Sequence, residues 1–470
     1  MRVAVVGAGF AGLAAAYDLA RWGHRPVVFE ASSEIGGLAS GFRAPGWEWK
    51  AERFYHHVFT SDRAILDLTR EIGASDLLIV RRPRTAYWCD EHPPHAFDCA
   101  GAVLRYPHLP LASRLRVGAA VALLRSRRDW RRLERTTADR WLRRAMGPRA
   151  YGALWQPLLA GKFGAHHRDV NMAWFWARIA TRTPRLGYFA GGFQALAERL
   201  ATHVRSAGGE IRLSAPVRAI RRADTSDAGA GASDPGTGAS EVRSGGRLVV
   251  RAQQEERFDA VLATTSPSLL SRLAPELPSA YGGRLAELDS LGAVVLALAL
   301  DRAFLDETYW LNTPAGRFPF QVLVEHTNFV SPAHYGGQHL LYAGSYAEPS
   351  SALFAMSPDE ALALIAPALR EIRPDFDERW VRGAWLHREP YAQPIVRPNH
   401  SARVPPLATP LPGLFWASMS QVYPWDRGTS FAVTIGRRAA REIVDWLRVP
   451  ERRLEIASET TPREWTPNRA

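Results

Sequence analysis

The feature that most constrains this chain is its opening, Val3 to Glu30, which reads VAVVGAGFAGLAAAYDLARWGHRPVVFE. Val3 to Val6 is a short apolar run rich in β-branched residues, the mark of a buried parallel strand. The glycines that follow have separable jobs. Gly7 permits the tight turn out of the strand. Gly9 lets a pyrophosphate approach bare backbone, and Gly12 lets the next helix pack close to the sheet. The pattern predicts that helix over about Ala11 to Trp22, its first amides turned to the phosphates, with Gly23 as its stop. A second strand, Pro26 to Phe29, delivers Glu30 to its C-terminal end, eighteen residues after Gly12. A carboxylate there accepts hydrogen bonds from ribose hydroxyls. The G-x-G-x-x-G pattern alone is weak, but a strand before it, a helix after it and an acid at this distance make the context of a dinucleotide site.

A second glycine pair, Gly36-Gly37, follows in ASSEIGGLAS. With it the chain resembles the glutathione-reductase-like FAD superfamily. It looks most like the branch that holds monoamine oxidases, protoporphyrinogen oxidases and phytoene desaturases. In that branch the doublet lets a loop lie against the FAD diphosphate and ribitol. The far end of the chain carries the same resemblance, in LPGLFWASMSQVYPWDRGTSFAVTIGRRAAREIVDWL. Leu414 to Ala417 predicts a strand and Ala432 to Leu447 a helix, with Asp426, Arg427 and Gly428 between them. In the superfamily an acid-and-glycine turn here meets the flavin ribitol and pyrophosphate. Ser418 and Met419 depart from the usual Gly-Glu or Gly-Asp.

The resemblance implies an α/β fold. Its Rossmann-like FAD-binding domain is built from discontinuous segments, 1–58, 186–284 and 404–450. An α+β substrate domain of mixed sheet and helices takes 59–185 and 285–403. The implied cofactor contacts are Gly7, Gly9, Phe10, Ala11, Gly12, Glu30, Gly36, Gly37, Leu38, Val217, Asp426, Gly428 and Thr429. Of these, Val217 stands where a strand gives backbone contacts to the adenine.

A length of 470 residues suggests two domains, and 46% hydrophobic residues suit a globular chain. The two cysteines, Cys89 and Cys99, form no C-x-x-C pair, which fits a reducing cytoplasm and argues against a dithiol or zinc site. Neither lies near the C-terminus, so FAD is expected to be non-covalent. No signal peptide is expected, because the nucleotide-binding strand starts at Arg2, and no apolar run is long enough to span a membrane. No metal-ligand spacing is present. The net charge is +12, yet nothing resembles a nucleic-acid motif. Only Lys50 and Lys162 are lysines. The charge concentrates at 112–149, where twelve arginines meet three acids. This stretch predicts one or two amphipathic helices with Trp130 and Trp141 at an edge. It is a candidate for peripheral contact with an anionic membrane; a solvated, salt-bridged surface is the alternative. The expected location is the cytoplasm, at large or at the inner face of the membrane.

Residues 223–246 are small, polar and glycine-rich and predict a flexible loop. Strands at Glu210 to Arg222 and Arg247 to Ala252 flank it as a hairpin, and Arg257 to Pro267 predicts a strand returning to the nucleotide sheet. Leu186 to Val204 predicts glycines leading into an amphipathic helix. Leu285 to Leu300, Phe318 to Phe329 and HLLYAGSY predict strands of the other domain. The tail, 451–470, reads as disordered.

Flavin enzymes take a hydride at the isoalloxazine, and the protein positions the donor. Amine oxidases usually hold a water near the flavin with a lysine on a substrate-domain strand. Alignment by eye places Leu296 there, which argues against that chemistry. Trp174, Phe175, Trp176, Trp416, Tyr423 and Trp425 are candidate aromatic walls for an apolar substrate, with core packing as the alternative. Candidate catalytic residues are Tyr423, Trp425, Lys162, and one of His56 and His57, since neighbours in a strand point opposite ways. Lys162 is read as an anion anchor or proton donor, or else as a surface lysine. The expected function is dehydrogenation of a hydrophobic small molecule, as in protoporphyrinogen oxidase or phytoene desaturase. The alternatives are a flavin amine oxidase and a redox-neutral sugar-nucleotide isomerase like UDP-galactopyranose mutase, which needs paired arginines such as Arg397 and Arg427.

Overall fold

The structure, a computed structural model, describes residues 1–89, 92–96, 101, 105–106, 109–223 and 247–448. The expected loop beyond Ala223 and the expected disordered tail lie outside the described residues.

Five parallel strands form one sheet in the order Glu210–Arg212, Arg25–Phe29, Arg2–Val6, Ala260–Ala263, Leu414–Trp416. Strand alternation sorts their side chains into two layers. Val3, Val5 and Leu262 pack on the helices Phe10–Arg21, Gly192–Ser206 and Thr429–Arg448. Ala4, Val6, Val261 and Ala263 pack toward an antiparallel sheet of Ala219–Arg222, Leu248–Arg251 and Glu255–Phe258. Both faces are covered, which is why these strands read as continuous apolar runs.

The second sheet has seven strands, in the order Val381–Pro394, Ser290–Leu300, His339–Ala347, Val322–Glu325, Thr308–Asn312, Arg84–Cys89, His92–Ala96. Leu296, Leu298 and Leu300 face outward onto the helix Pro358–Ile372. That helix starts with a reciprocal cap, in which the Glu360 N–H donates to Ser357 Oγ at 3.2 Å and the Ser357 N–H to Glu360 Oε2 at 2.7 Å. Val295, Ala297 and Ala299 face inward, into the core shared with the first sheet. A helical lobe, centred on Leu111–Ser126, Ala138–Met146 and Met172–Thr181, has its own core around Leu142, Tyr151 and Trp176.

Four expected strands are shorter than predicted. Leu285 to Leu300 is a strand only from Ser290, because the helix Ser279–Ala286 runs through Leu285. Of Arg257 to Pro267 only Ala260–Ala263 joins the parallel sheet, Glu255–Phe258 ending in the antiparallel one. Glu210 to Arg222 is two strands in two sheets, broken where Ser214 takes a φ of +50° and Pro216 has no N–H to donate. Only its second half makes the hairpin with Leu248–Arg251. Phe318 to Phe329 is a strand only over Val322–Glu325, and then turns at His326–Asn328. The turn is pinned by buried Glu325, whose carboxylate accepts N–H bonds from Phe304 and Leu305 at 3.0 and 3.1 Å.

Candidate functional site

The first strand turns at Gly7 into the helix Phe10–Arg21, whose N-cap is Gly9. Gly9 offers no side-chain acceptor, and the first turn holds no acid. Its amides therefore stay available to an anion. A Cβ on Gly12 would lie 2.0 Å from the Gly7 carbonyl oxygen, so only glycine lets the helix sit this close. The doublet loop lies directly against this turn. Gly37, with a φ of +59°, would place a Cβ 3.1 Å from Gly9 Cα, and the Gly36 N–H donates to the Ala8 carbonyl at 2.9 Å. Glu30 closes the edge, accepting from the Ala8 N–H at 2.7 Å and the Ser32 N–H at 2.9 Å. The Ala215 N–H donates to the Glu30 carbonyl at 2.8 Å, which brings the segment holding Val217 to the same edge. Phe10 is buried edge-on to Phe193, so only its backbone faces the turn. The geometry fits a dinucleotide: a glycine cradle that a Cβ on Gly12 or Gly37 would crowd, free helix amides, and a carboxylate fixed at the C-terminal end of the next strand.

A pocket opens on the inner face of the seven-stranded sheet, against the doublet loop and the segment Phe54 to His56. Its apolar walls are Leu38, Phe54, Ala293, Val295 and Ala392; Tyr55, His56, Ser345, Tyr346 and Arg427 add polar atoms. Burial lowers the His56 imidazole to about 4 and the His57 imidazole to about 3, so both are neutral at pH 7. His56 lines the pocket; His57 packs among Phe59, Tyr309 and Trp310 instead. Residues 293 and 295 share the pocket face of their strand, so Leu296 points away, into the outer core. The pocket-facing neighbour is Val295, and the strand Ser290–Leu300 carries no lysine on either face.

Lys162 is not on the surface. Its Nζ lies 3.2 Å from Asp426 Oδ2, and the side chain is 15% exposed. Burial pushes its amine well below the usual lysine range, helped by Arg178, Arg427 and Arg182 and opposed by Asp426. Burial would raise the Asp426 carboxyl, but Lys162, Arg178 and Arg427 hold it below the usual carboxylate range. The Trp174 indole N–H also donates to Asp426, at 3.2 Å, and Arg178 pairs with it. Asp426, expected at the flavin ribitol, thus commits its carboxylate to this cluster. Gly428 and Thr429 open the terminal helix, at its N-terminal end.

The other aromatic candidates scatter. Trp416 is fully buried behind the parallel sheet, its N–H on the Thr265 carbonyl at 3.0 Å. Tyr423 sits in the helical lobe, donating to Glu134 at 3.2 Å. Trp425 stacks on Phe431, with ring centroids 6.0 Å apart. Arg397 pairs with Asp289 at 2.6 Å, away from Arg427. Sequence reasoning missed Tyr55, Tyr346 and Arg178. Only Arg178 left a signal, since it follows Trp174 by one helical turn and shares its face.

A sequence model of the family described as flavin containing amine oxidoreductase matches residues 10–444. The chain belongs to that family. The family is one of flavin-containing oxidoreductases, and the cofactor it implies for the cradle described above is FAD. Among curated proteins, 15-cis-phytoene desaturase of Synechococcus elongatus is 37% identical over 78 residues, which is 17% of this chain and 16% of that protein. The chain aligns with only 14–16% of the length of such relatives. Among solved structures, an oxidoreductase from Methanosarcina mazei gives a TM-score of 0.71 at 17% identity, over 94% of this chain and 100% of that one. Reduced UDP-galactopyranose mutase gives 0.71 at 12% identity, over 97% and 98%. Such likenesses show the fold, a mixed helix-and-sheet architecture.

Proposed function

We propose that this enzyme dehydrogenates a hydrophobic substrate held in the pocket on the inner face of the seven-stranded sheet. Bound FAD would supply a two-electron acceptor for a hydride from the substrate, the accompanying proton leaving to a base or to solvent, and oxygen or another acceptor would reoxidise it. The division into an FAD-binding part and a substrate-binding part at the boundaries given above belongs to this reading. Gly9, the first amides of Phe10–Arg21, Gly37 and Glu30 would hold the cofactor. The observation that carries the reading is the pocket wall itself. Phe54, Tyr55, Val295 and Tyr346 make it largely apolar and aromatic. No lysine lies on the strand that supplies Val295, which disfavours amine oxidation of the usual kind. His56 lines the pocket as a neutral imidazole with Nδ1 turned to the Phe54 carbonyl, which leaves its other ring nitrogen to accept a hydrogen bond from a bound molecule.

Anaerobic mixing tests this. Oxidised enzyme is combined with polyprenyl, porphyrinogen, amine and UDP-sugar compounds, and the flavin absorbance is followed. Bleaching by an apolar compound is the expected result. Bleaching by amines alone overturns the assignment. A second reading, redox-neutral rearrangement of a sugar nucleotide, draws on the cations around Asp426. It predicts no bleaching and turnover only by enzyme reduced beforehand.

The reading extends to location. Among the described residues no helix is long and apolar enough to cross a membrane. The helix Leu111–Ser126 leaves Leu111, Leu115 and Leu123 exposed beside exposed arginines, and an anionic bilayer surface is the partner whose charge complements it.

A further inference from the structure

Four basic side chains gather around Asp426 beside the pocket, and two of them pair with it. Lys162 and Arg178 both pair with Asp426 Oδ2. Their charged groups lie over one ring, with Lys162 Nζ 5.5 Å and Arg178 Cζ 4.9 Å from the centre of Trp174. Arg427 turns the other way, donating through Nε to Gln393 Oε1 at 3.0 Å and through its terminal nitrogen to the Tyr346 hydroxyl. Arg182 follows the helix Met172–Thr181 and rests its guanidinium 5.7 Å from the Phe59 ring. Arg178 repels it and Asp426 attracts it, but Asp426 is already shared by Lys162 and Arg178. Tyr346 joins the cluster to the pocket: it lines the pocket, accepts from Arg427, and has Lys162 Nζ 5.5 Å from its ring.

Lys162, Arg178 and Arg427 are half-buried and Arg182 is exposed beside them; like charges gathered this way repel, and a bound anion offsets that repulsion. The surplus exceeds one unit of charge, and guanidinium forks match the oxygens of phosphate. The cofactor's own diphosphate has its place at Gly9 and the helix amides, on a different element. We propose that the substrate carries a phosphate or diphosphate group, held by Arg182, Lys162 and Arg427, with its apolar body along the pocket. This rests on the dehydrogenase reading for the apolar body, and it adds the head group.

Binding alone tests it, without turnover. The FAD-loaded full chain is titrated with inorganic diphosphate, geranyl diphosphate, geranic acid and geraniol, by flavin difference spectrum and calorimetry. Inorganic diphosphate is expected to saturate, and geranyl diphosphate to bind at least about tenfold more tightly than geraniol or geranic acid. Arg182→Gln is expected to weaken geranyl diphosphate by about tenfold or more while leaving geraniol binding and bound FAD unchanged. Lys162→Met, checked for flavin content and melting temperature, should show the same selectivity. Equal binding of geraniol or geranic acid, or no binding of inorganic diphosphate, overturns the proposal. So does loss of FAD in place of loss of diphosphate affinity, which assigns the charge to the cofactor. A chain that binds geranyl diphosphate selectively yet is bleached by nothing keeps the head-group site and loses only the dehydrogenase reading.

Discussion

Gly436 meets the Ala11 carbonyl oxygen so closely that a Cβ on Gly436 would lie 2.1 Å from it. The terminal helix thus sits directly on the helix that opens the nucleotide cradle. One residue on, Arg437 donates to both Glu71 oxygens at 2.9 and 2.6 Å and lies 3.7 Å from buried Asp18. Gly436→Ala must push the two helices apart. The expected cost is roughly 1–3 kcal/mol of stability from overpacking, with a lower flavin content after purification. Thermal melting and the ratio of flavin to protein absorbance check it. Unchanged values in both would show that this contact does not set the first helix.

Glu30 holds the Ala8 and Ser32 amides at the C-terminal end of the strand Arg25–Phe29. On the proposal that this carboxylate also accepts from the cofactor's ribose, Glu30→Ala removes that acceptor and takes the partner from both amides. FAD affinity is expected to fall by about 1–3 kcal/mol, roughly ten- to a hundredfold, with Glu30→Gln intermediate because its amide oxygen still accepts. Apoprotein titrated with FAD measures this. Equal affinity in all three proteins would remove Glu30 from the cofactor site.

The Glu52 carboxyl is 1% exposed, and burial pushes it to about 7 despite N–H donation from Phe193 and O–H donation from Tyr188. In the unfolded chain a glutamate titrates near 4.5. The folded state therefore binds this proton more tightly, and stability falls as pH rises from about 4.5 through about 7. Glu325, also pushed to about 7, adds in the same direction. The buried histidines, His56 and His57 among them, act the other way, gaining stability as pH rises through the unfolded imidazole value, so the test is the difference between two proteins. Between pH 5.5 and pH 8, Glu52→Gln is expected to gain roughly 1–3 kcal/mol of stability relative to wild type. A difference between the two proteins that does not change over this range contradicts the assignment.

The nucleotide half was legible because its chemistry is local. Strand, glycine turn, helix and acid follow one another within Arg2 to Glu30, and each needs only its neighbours to form. The pocket was much less legible, because it is assembled from distant segments. Tyr55, Val295, Tyr346 and Arg427 meet only after the second sheet has formed. Leu296 shows what a period of two decides: one residue along an unbroken apolar strand exchanges the pocket face for the outer core. Lys162 was visible as a rare residue, but its burial was not. That depends on Asp426, 264 positions away in sequence.

The helix Leu111–Ser126 offers a last test. Val117, Ala120 and Leu124 bury one face against the helical lobe. The opposite face exposes Leu111, Leu115 and Leu123 by 64%, 58% and 52%, with small residues at Ala112, Gly118, Ala119 and Ala122 between them. Arg114 and Arg116 are turned to backbone carbonyls of Leu109, Ala145 and Arg144, whereas Arg125 and Arg128 lie exposed at the helix end. A leucine row with free arginines beside it suits the headgroup boundary, where each basic residue adds about 1 kcal/mol on anionic lipid. Holoenzyme is expected to float with vesicles containing phosphatidylglycerol, weakly with phosphatidylcholine alone, and less as salt rises. Replacing Leu111, Leu115 and Leu123 together by Gln should reduce flotation by about tenfold or more while the flavin spectrum stays unchanged, because none of the three is buried. Flotation that survives this triple change places the contact on another surface, and its absence on anionic vesicles with the wild-type chain removes the membrane from the picture.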